Sequence, residues 1–396
     1  MTKKGWNSGF LKSFVKDFIV PQRDKPKSFE GNIPWCRIED FDGIYLSKSK
    51  SGQHVNQEII NQMGLKVYPV NTVIVSCSAD LGRCAIIEKP LVTNQTFIGL
   101  VPESNLDSKF LFYYMSSRAR QLNEMASGAT IKYLSKKKFQ ELSVTFPPLP
   151  EQHRIVAILD RCFTAIDRAK TIASTNLQNA RELFESYLNG VFEKGGKDWE
   201  VKKLGEVGKV CMCKRIFKDE TKMEGEIPFY KIGTFGKKPD AFISKETYEL
   251  YKKKFSFPKT GDILVSASGT IGRCVIYDGE PAYFQDSNIV WIDNDEKMVT
   301  NKFLHSFYSA CKWESTKGAT ISRLYNDNLR QLIIRFPKSK TEQQHIVSQL
   351  DALQKETKRL EEHYTQKLHD LEELKKAVLQ KAFSGELVTD TIEIPS

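Results

Sequence analysis

Residues 75–86, VSCSADLGRCAI, return at 265–276 as VSASGTIGRCVI, with seven of twelve positions identical. Three further matches occur in the same order in both halves of the chain. GNIPW at 31 matches GEIPF at 225, GATI at 128 returns at 318, and EQ at 151 returns at 342. The copies lie 190, 194, 190 and 191 residues apart. Chance similarity would not keep four matches in register, and this period is far longer than that of a solenoid repeat. The sequence therefore predicts a duplicated pair of domains.

The first part of each half has a mixed α/β pattern. Residues 72–75 and 262–265 are β-branched or apolar runs bounded by turn residues, which is typical of strands. Aromatic residues at helical spacing around 109–123 and 301–313 predict helices whose aromatic side chains lie in the core. Each half therefore begins with a globular α+β domain, and prolines mark its end.

The second part of each half has the pattern of a long helix. Apolar or small residues recur in steps of three and four, and adding 191 repeats the series with Thr357 and Lys375 as weak positions. The first series is Ile155, Leu159, Cys162, Ile166, Ala169, Ala173, Leu177, Ala180, Phe184, Tyr187 and Val191. This alternation is typical of a coiled coil. Two such helices are expected to pack on each other, and an antiparallel arrangement would turn the duplication into a pseudo-twofold axis.

The predicted organisation has four segments. Residues 1–150 and 197–340 form two globular domains, residues 151–196 form the first long helix, and residues 341–396 form the second long helix with a C-terminal tail.

The charge is concentrated in the two globular domains. The chain has 396 residues, 40% hydrophobic and 27% charged, with a net charge of +10. Each globular domain carries +7, whereas the first helix is neutral and the second segment carries −4. Two basic modules suit a polyanion with two contact points, although a basic surface can also serve solubility alone. No apolar run is long enough to span a bilayer, and no secretory signal follows the N-terminal lysines, so we expect a cytoplasmic protein.

Residue patterns that carry chemistry are missing from the sequence. The eight cysteines include one close pair, at 211 and 213, with no second pair at metal-ligand spacing, which predicts reduced thiols and no structural metal. None of the six histidines has a counterpart in the other copy, as a duplicated active site would require. A phosphate-binding loop and a nucleophile elbow are also absent.

Basic and aromatic residues near the repeated motifs are the candidate DNA contacts. The Gly-Arg-Cys segments place one arginine in each copy, and the glycine-bearing loops at 127–134 and 317–325 carry hydroxyls, cations and tyrosines, which are common phosphate-positioning groups. A purely structural role for these arginines and loops is the competing interpretation. The candidates are Arg83, Lys132, Tyr133, Lys136, Arg273, Thr320, Arg323 and Tyr325.

Three further segments make the chain recognisable. The helices are entered through PLPEQHRIV at 148–156 and KTEQQHIV at 340–347, and the second domain opens with DWEVKKLGEV at 198–207. Together with the alternation of variable domains and long helices, these segments make the whole chain resemble the specificity (S) subunit of type I restriction-modification systems. The first domain departs from the pattern. It has GWNSGFL at 5–11 in place of a clear Trp-x-x-x-x-Leu-Gly-Glu opening, which the second domain has at 199–206.

The resemblance implies a non-catalytic DNA reader. Each variable domain would recognise one half of a bipartite double-stranded DNA target, and the helices would form an antiparallel coiled coil that acts as spacer and docking site. Two modification subunits would carry S-adenosylmethionine and the methyltransferase chemistry, and restriction subunits would use ATP. No cofactor is expected in this chain.

Two other functions remain alternatives on the sequence. A coiled-coil scaffold whose basic domains bind acidic protein partners would have the same charge pattern. A self-sufficient methyltransferase would need a glycine-rich cofactor loop and an Asn/Asp-Pro-Pro-aromatic motif, and neither occurs here.

Overall fold

The computed structural model describes residues 5–21, 25–78, 80–127, 132–313, 324, 326–384 and 386. The chain divides into two compact units. Unit 1 comprises residues up to 173 and from 367 onward, and unit 2 comprises residues 174–366. Because these boundaries fall inside two long helices, each long helix contributes one part to each unit.

Unit 1 combines ten strands with helices in its described part. The strands are β1 Asn7–Phe10, β2 Val15–Ile19, β3 Ile33–Cys36, β4 Tyr45–Leu46, β5 His54–Val55, β6 Val73–Ser76, β7 Cys84–Ile87, β8 Val92–Thr93, β9 Phe97–Pro102 and β10 Ser143–Phe146. The helices are α1 Gln57–Met63, α2 Ser108–Ser117, α3 Ala119–Met125, α4 Lys136–Gln140 and the long α5 Leu149–Lys194. The sheets have the orders β2-β9-β6-β7-β4, β5-β3-β8 and β1-β10.

Unit 2 repeats this plan. Its strands are β11 Trp199–Lys203, β12 Gly208–Cys211, β13 Ile227–Tyr230, β14 Phe242–Ile243, β15 Ile263–Ser266, β16 Cys274–Ile276, β17 Tyr283–Phe284, β18 Ile289–Asn294 and β19 Ile333–Pro337. Its helices are α6 Leu204–Val207, α7 Lys245–Lys254, α8 Asn301–Ala310, α9 Asn326–Gln331 and the long α10 Lys340–Ser384. The sheets have the orders β12-β18-β15-β16, β14-β13-β17 and β11-β19.

The strand registers confirm the duplication and the mixed fold class. Val75 pairs with Cys84 across the β6–β7 hairpin, and 190 residues later Val265 pairs with Cys274 across the β15–β16 hairpin. In both units the third strand pairs with one neighbour antiparallel and with the other parallel. The strand β4, parallel to β7, has no counterpart among the described residues of unit 2.

Both central sheets are apolar on both faces. All four residues of β6 are buried: Val73 and Val75 pack with α2 in one hydrophobic cluster, and Ile74 packs in another. In β15, Ile263 and Val265 face α8 while Leu264 faces a cluster of aromatic residues. A strand buried on both sides needs a continuous apolar run, which is the pattern that the sequence shows.

The N-terminal segment adopts the same structure as its counterpart, although its sequence departs from it. β1 pairs antiparallel with β10, as β11 does with β19. Leu11 and Leu204, which follow these strands, are fully buried, and each donates its backbone N–H to a leucine carbonyl, Leu142 O or Leu332 O, at 2.8 Å. The departure in sequence therefore leaves the fold of the first domain intact.

A buried glutamine ties each long helix to its globular domain. The side-chain oxygen of Gln152 accepts from the Asp107 N–H at 2.8 Å, and its amide nitrogen donates to the carbonyls of Asn105 and Pro147 at 3.0 and 2.9 Å. Gln343 repeats these three bonds with the N–H of Thr300 and the carbonyls of Met298 and Pro337, each at 2.8 Å. The repeated Glu-Gln motif thus fixes the point where each helix leaves its domain.

The two long helices pair antiparallel within each unit. In unit 1, Asp167 contacts Lys375 at 3.2 Å, and Lys170, further along α5, contacts Glu372, which precedes Lys375 on α10. In unit 2, Arg181 of α5 contacts Glu361 of α10 at 3.1 Å. None of the described helices is long and apolar enough to cross a bilayer.

The predicted seam is largely correct and fails at one position. Ile155, Leu159, Ala173 and Ala180 are buried, and so is the weak position Thr357, whose hydroxyl donates to backbone carbonyls of its own helix. Tyr187 was predicted to lie in the seam but is 42% exposed, with its hydroxyl directed to Gln349. Leu188 is buried in its place, because α5 there packs against the globular domain of unit 2 as well as against α10.

Candidate nucleic-acid interface

In unit 1, loops from several strands meet at one edge of the central sheet. The N–H of Cys77, just after β6, donates to Thr96 O, and the carbonyl of Cys77 accepts from the N–H of Leu134, both at 2.8 Å. Tyr133 forms β-bridges with Ser78 and with Ser127. We call this surface the loop edge of unit 1; it comprises residues 37–43, 77–78, 80–83, 94–96 and 132–134.

Unit 2 has the same construction. The N–H of Ala267, just after β15, donates to Asn288 O, and its carbonyl accepts from the N–H of Leu324, both at 2.7 Å. The strand β12 also ends at this edge of the sheet. Its last residue, Cys211, pairs with Trp291 near the start of β18, and β18 begins directly after Asn288. The loop edge of unit 2 comprises residues 212–216, 231–235, 267–273, 285–288 and 324.

The repeated Gly-Arg-Cys motif forms a tight turn at each loop edge. The N–H of Gly82 donates to Ser76 O at 3.1 Å, and that of Gly272 donates to Ser266 O at 3.0 Å. Both glycines have positive φ, +85° and +83°, a backbone region that favours glycine. A Cβ on Gly82 would also meet the Cα of Ala119 at 2.6 Å. The glycine of the motif is therefore required by the backbone of the turn.

The two candidate arginines of these turns bind neighbouring loops. The Arg83 guanidinium donates to Phe41 O at 3.0 Å and lies 3.6 Å from the carboxylate of Asp80. The Arg273 guanidinium donates to Phe235 O at 2.9 Å. Each arginine therefore holds the loop after β3 or β13 against the turn. Contact of either with DNA stays a prediction.

The other candidates of unit 1 separate into two groups. Lys132 and Tyr133 lie on the loop edge, where Tyr133 is 43% exposed and the Lys132 ammonium donates to Asn123 Oδ1 at 3.2 Å. Lys136 begins α4, and its ammonium donates to Phe18 O on the edge strand β2 at 2.8 Å. Lys136 thus satisfies a strand carbonyl.

The remaining candidates belong to unit 2. Thr320, Arg323 and Tyr325 lie outside the described residues.

One basic residue of the loop edge was missed by the sequence argument. Arg215 follows β12, and its Nε lies 2.9 Å from Asp286 Oδ2 in the loop after β17. The candidates lie near motifs that repeat between the copies, whereas this loop varies. The usable signal is the dibasic pair at 214–215, in the loop that follows a strand.

Five of the cysteine thiols are kept protonated by burial. Burial raises the pKa of the thiols of Cys36, Cys84, Cys213, Cys274 and Cys311 to about 12, so they stay protonated at neutral pH. Within the described residues, no group of three or more His, Cys, Asp or Glu side chains is placed to hold a metal ion.

Comparison with known proteins agrees with this architecture. The family model for the type I restriction modification DNA specificity domain matches residues 4–175 and again residues 196–370. The chain belongs to this family. The two matches of the specificity domain correspond to the two halves of the repeat.

Relatives and solved structures extend the likeness. A Haemophilus influenzae protein described as a type I restriction enzyme specificity subunit is 47% identical over 257 residues, which cover 63% of this chain and 65% of that protein. The EcoBI specificity subunit of Escherichia coli is 24% identical over 390 residues, covering 90% and 80%. The chain thus spans somewhat less than two thirds of the Haemophilus relative.

Two solved structures share the fold. The HsdS subunit from Thermoanaerobacter tengcongensis matches with a TM-score of 0.63 at 19% identity, over 98% of each chain. A chain from a study of complex assembly and conformational transition in a type I R-M system matches with a TM-score of 0.73 at 20% identity, over 98% of this chain and 100% of that one.

Proposed function

We propose that this chain is the DNA specificity subunit of a type I restriction-modification enzyme, in which each unit reads one half of a bipartite target. The observation that carries the proposal is the combination of a repeated scaffold and unlike loop edges. The turn at Ser76–Arg83 and its copy at Ser266–Arg273 keep the same backbone bonds, whereas the loops packed on them differ in length and charge. A reader of two different half-sites needs one framework and two contact surfaces.

Electrostatics supports contact with DNA at the globular domains. Residues 1–150 and 197–340, which we propose as the two recognition domains, carry +7 each, whereas the long-helix segments 151–196 and 341–396 are neutral and acidic. Cations that neutralise phosphates release counterions, which favours binding to nucleic acid. Lys132 and Tyr133 are the proposed contacts of unit 1, and Arg83 and Arg273 hold the loops that carry such contacts.

The chain is proposed to work without catalysis of its own. Two modification subunits would dock on the repeated elements, one for each copy, and bring S-adenosylmethionine and methyl transfer. Restriction subunits would bring ATP-dependent cleavage. The relatives are named as subunits of restriction enzymes, which supports this division of labour.

A scaffold for acidic protein partners is the competing function. The charge pattern fits both ligands, and membership of the DNA specificity family favours DNA over an acidic protein.

Selection from a randomised duplex library, with this chain in complex with its modification subunits, tests the proposal. We expect recovery of two short conserved sequences separated by a fixed, non-conserved gap, and no methylation when the modification subunits are omitted. Recovery of random sequence, with equal retention of an acidic polypeptide, would favour the scaffold. Methyl transfer by the purified chain alone would contradict the division of labour.

A further inference from the structure

We propose that Arg215 reads a guanine in the half-site of unit 2 and that Asp286 is the residue that positions it. This inference rests on the proposed function and assigns a base-reading role to one side chain of the loop edge of unit 2. Three observations carry it: the backbone around Arg215 is fixed, its guanidinium is oriented from one side, and its far end is exposed.

The backbone is fixed on both sides of Arg215. The carbonyl of Lys214 accepts a hydrogen bond from the hydroxyl of Tyr283 at 3.0 Å, and the Tyr283 side chain is fully buried. Ile216 packs in the same aromatic core as Tyr283 and Cys213, at 9% exposure. Arg215 therefore projects from a chain segment that is anchored before and after it.

The side chain is oriented by a carboxylate that is itself held in place. Arg215 Nε lies 2.9 Å from Asp286 Oδ2, and the Asp286 side chain is only 17% exposed. The neighbouring Gln285 fixes the loop, because its N–H donates to Tyr230 O at 3.0 Å and its side-chain oxygen accepts from the N–H of Ile232 at 2.9 Å. The carboxylate therefore occupies a defined position at the loop edge.

The far end of the guanidinium remains open. The Arg215 side chain is 60% exposed, and neither Nη atom has a hydrogen-bond partner among the described residues. Arg273, Arg330 and Arg335 of the same unit instead use an Nη in bonds to the protein. An arginine held through Nε presents its two Nη groups as a fork, and this fork matches O6 and N7 of guanine in the major groove. Lysine has no such fork.

The arrangement favours base reading over phosphate contact. A phosphate contact needs positive charge but no fixed direction, and a carboxylate beside the arginine lowers the local positive potential. A base contact needs a fixed direction, and fixing an arginine before binding lowers the entropy lost when it docks. Asp286 weakens the first role and strengthens the second.

The test uses the full chain in complex with its modification subunits. Library selection with the parent complex defines the two half-sites, and affinities are then measured for duplexes carrying each of the four bases at every position. We expect Arg215→Ala to lower the preference for one guanine by about 5- to 150-fold, in the half-site assigned to unit 2 alone. Arg215→Lys keeps the charge but not the fork, so it should lose the same preference with its salt dependence unchanged.

Asp286→Ala gives the readout for positioning. It removes a negative charge, so binding to unrelated duplex should not fall, while the preference for that guanine should fall. Arg330→Ala is the matched control, because Arg330 pairs with Asp327 in α9 at 2.9 Å and packs near Gly205 at the other end of β12. We expect it to leave both half-sites unchanged.

Three results would overturn the inference. Equal weakening on all sequences by Arg215→Ala, with Arg215→Lys behaving as the parent, would identify a phosphate contact. An unchanged specificity profile would remove Arg215 from the interface. Failure of the parent complex to select any sequence would overturn the proposed function and this inference with it, and the first two results leave the proposed function standing.

Discussion

The two units use the same internal bonds to support different surfaces. Gln152 and Gln343 each make three equivalent hydrogen bonds, and Arg83 and Arg273 each donate to the carbonyl of a phenylalanine in the preceding loop. The glutamines join each long helix to its globular domain, and the arginines join each turn to the loop that packs on it. Residues that hold the scaffold were retained after the duplication.

The loop edges differ where the scaffold does not constrain them. In unit 1 the chain after Phe41 forms β4, and Ile44 O accepts from Ile86 N at 2.8 Å. At the corresponding place in unit 2, 194 residues later, stand the exposed Lys237 and Lys238. The segment after Phe41 thus leads into a strand in unit 1, whereas the segment after Phe235 presents two exposed cations in unit 2. This difference is what separate half-sites require.

The largest expected effect belongs to the buried glutamines. Gln343→Leu should destabilise unit 2 by about 3–6 kcal/mol, because one N–H and two carbonyls lose their partner in a buried site. Gln152→Leu should cost unit 1 a similar amount. Denaturant unfolding of the full chain measures both, and Gln178→Leu, on the exposed face of α5, serves as the control. A cost below about 1 kcal/mol for either buried glutamine would contradict a shared locking role.

The turn glycines should show a difference between the units. Gly82→Ala and Gly272→Ala should each cost about 2–4 kcal/mol, from a strained positive φ and from overpacking. The added methyl meets the backbone of Ala119 in unit 1 but the indole of Trp313 in unit 2. We therefore expect Trp313→Ala to relieve part of the Gly272→Ala penalty, measured by a double-mutant cycle in thermal unfolding. No relief would show that φ strain alone sets the cost.

The two lysines near the loop edge of unit 1 should differ in their effect on DNA binding. Lys132→Ala should reduce the log–log salt slope by about 0.9, the value for one lost phosphate contact. Lys136→Ala should change the slope less, because that ammonium already donates to Phe18 O. Titration of the complex with target duplex at several salt concentrations measures both slopes. Equal reductions would place both lysines on DNA.

The smallest effect concerns pH. Burial lowers the pKa of His305 from 6.5, opposed by the charge of Asp351, and the corresponding residue of unit 1 is Phe112. The unfolded chain then binds a proton before the folded one, so this histidine lowers the stability of unit 2 as the pH falls through 6.5. His305→Phe should remove this contribution. The midpoint of denaturant unfolding should then fall less for the variant than for the parent chain when the pH is lowered from about 8 to about 5.5. An unchanged loss would exclude His305 as its source.

The sequence predicted those parts of the fold that depend on pattern and repetition. The strands β6 and β15 lie within one residue of the predicted runs, and both long helices are present. The repetition of the motif GRC is visible in the sequence, but its reason is local geometry: the glycine needs a positive φ, and the arginine reaches a loop about 40 residues away in sequence. Such a partner is not visible in a linear pattern.

The candidate site was harder to predict because it varies between the copies. Lys136 stands in a run of lysines, and only the structure shows that its ammonium satisfies Phe18 O. Arg215 gains its orientation from Asp286, 71 residues away in sequence, so neither residue is distinctive alone. Tyr187 fits the heptad but is 42% exposed, and Leu188 is buried in its place because the domain of unit 2 also packs on α5 there.

Exchange of one recognition domain tests the central claim most directly. Residues 1–150 are replaced by the corresponding domain of another specificity subunit with a known target, and methylated positions are mapped in cells that carry the complete system. The account predicts that one half of the recognised sequence changes to that of the donor while the half read by unit 2 is retained. A change in both halves, or in neither, would contradict two independent readers on one duplicated scaffold.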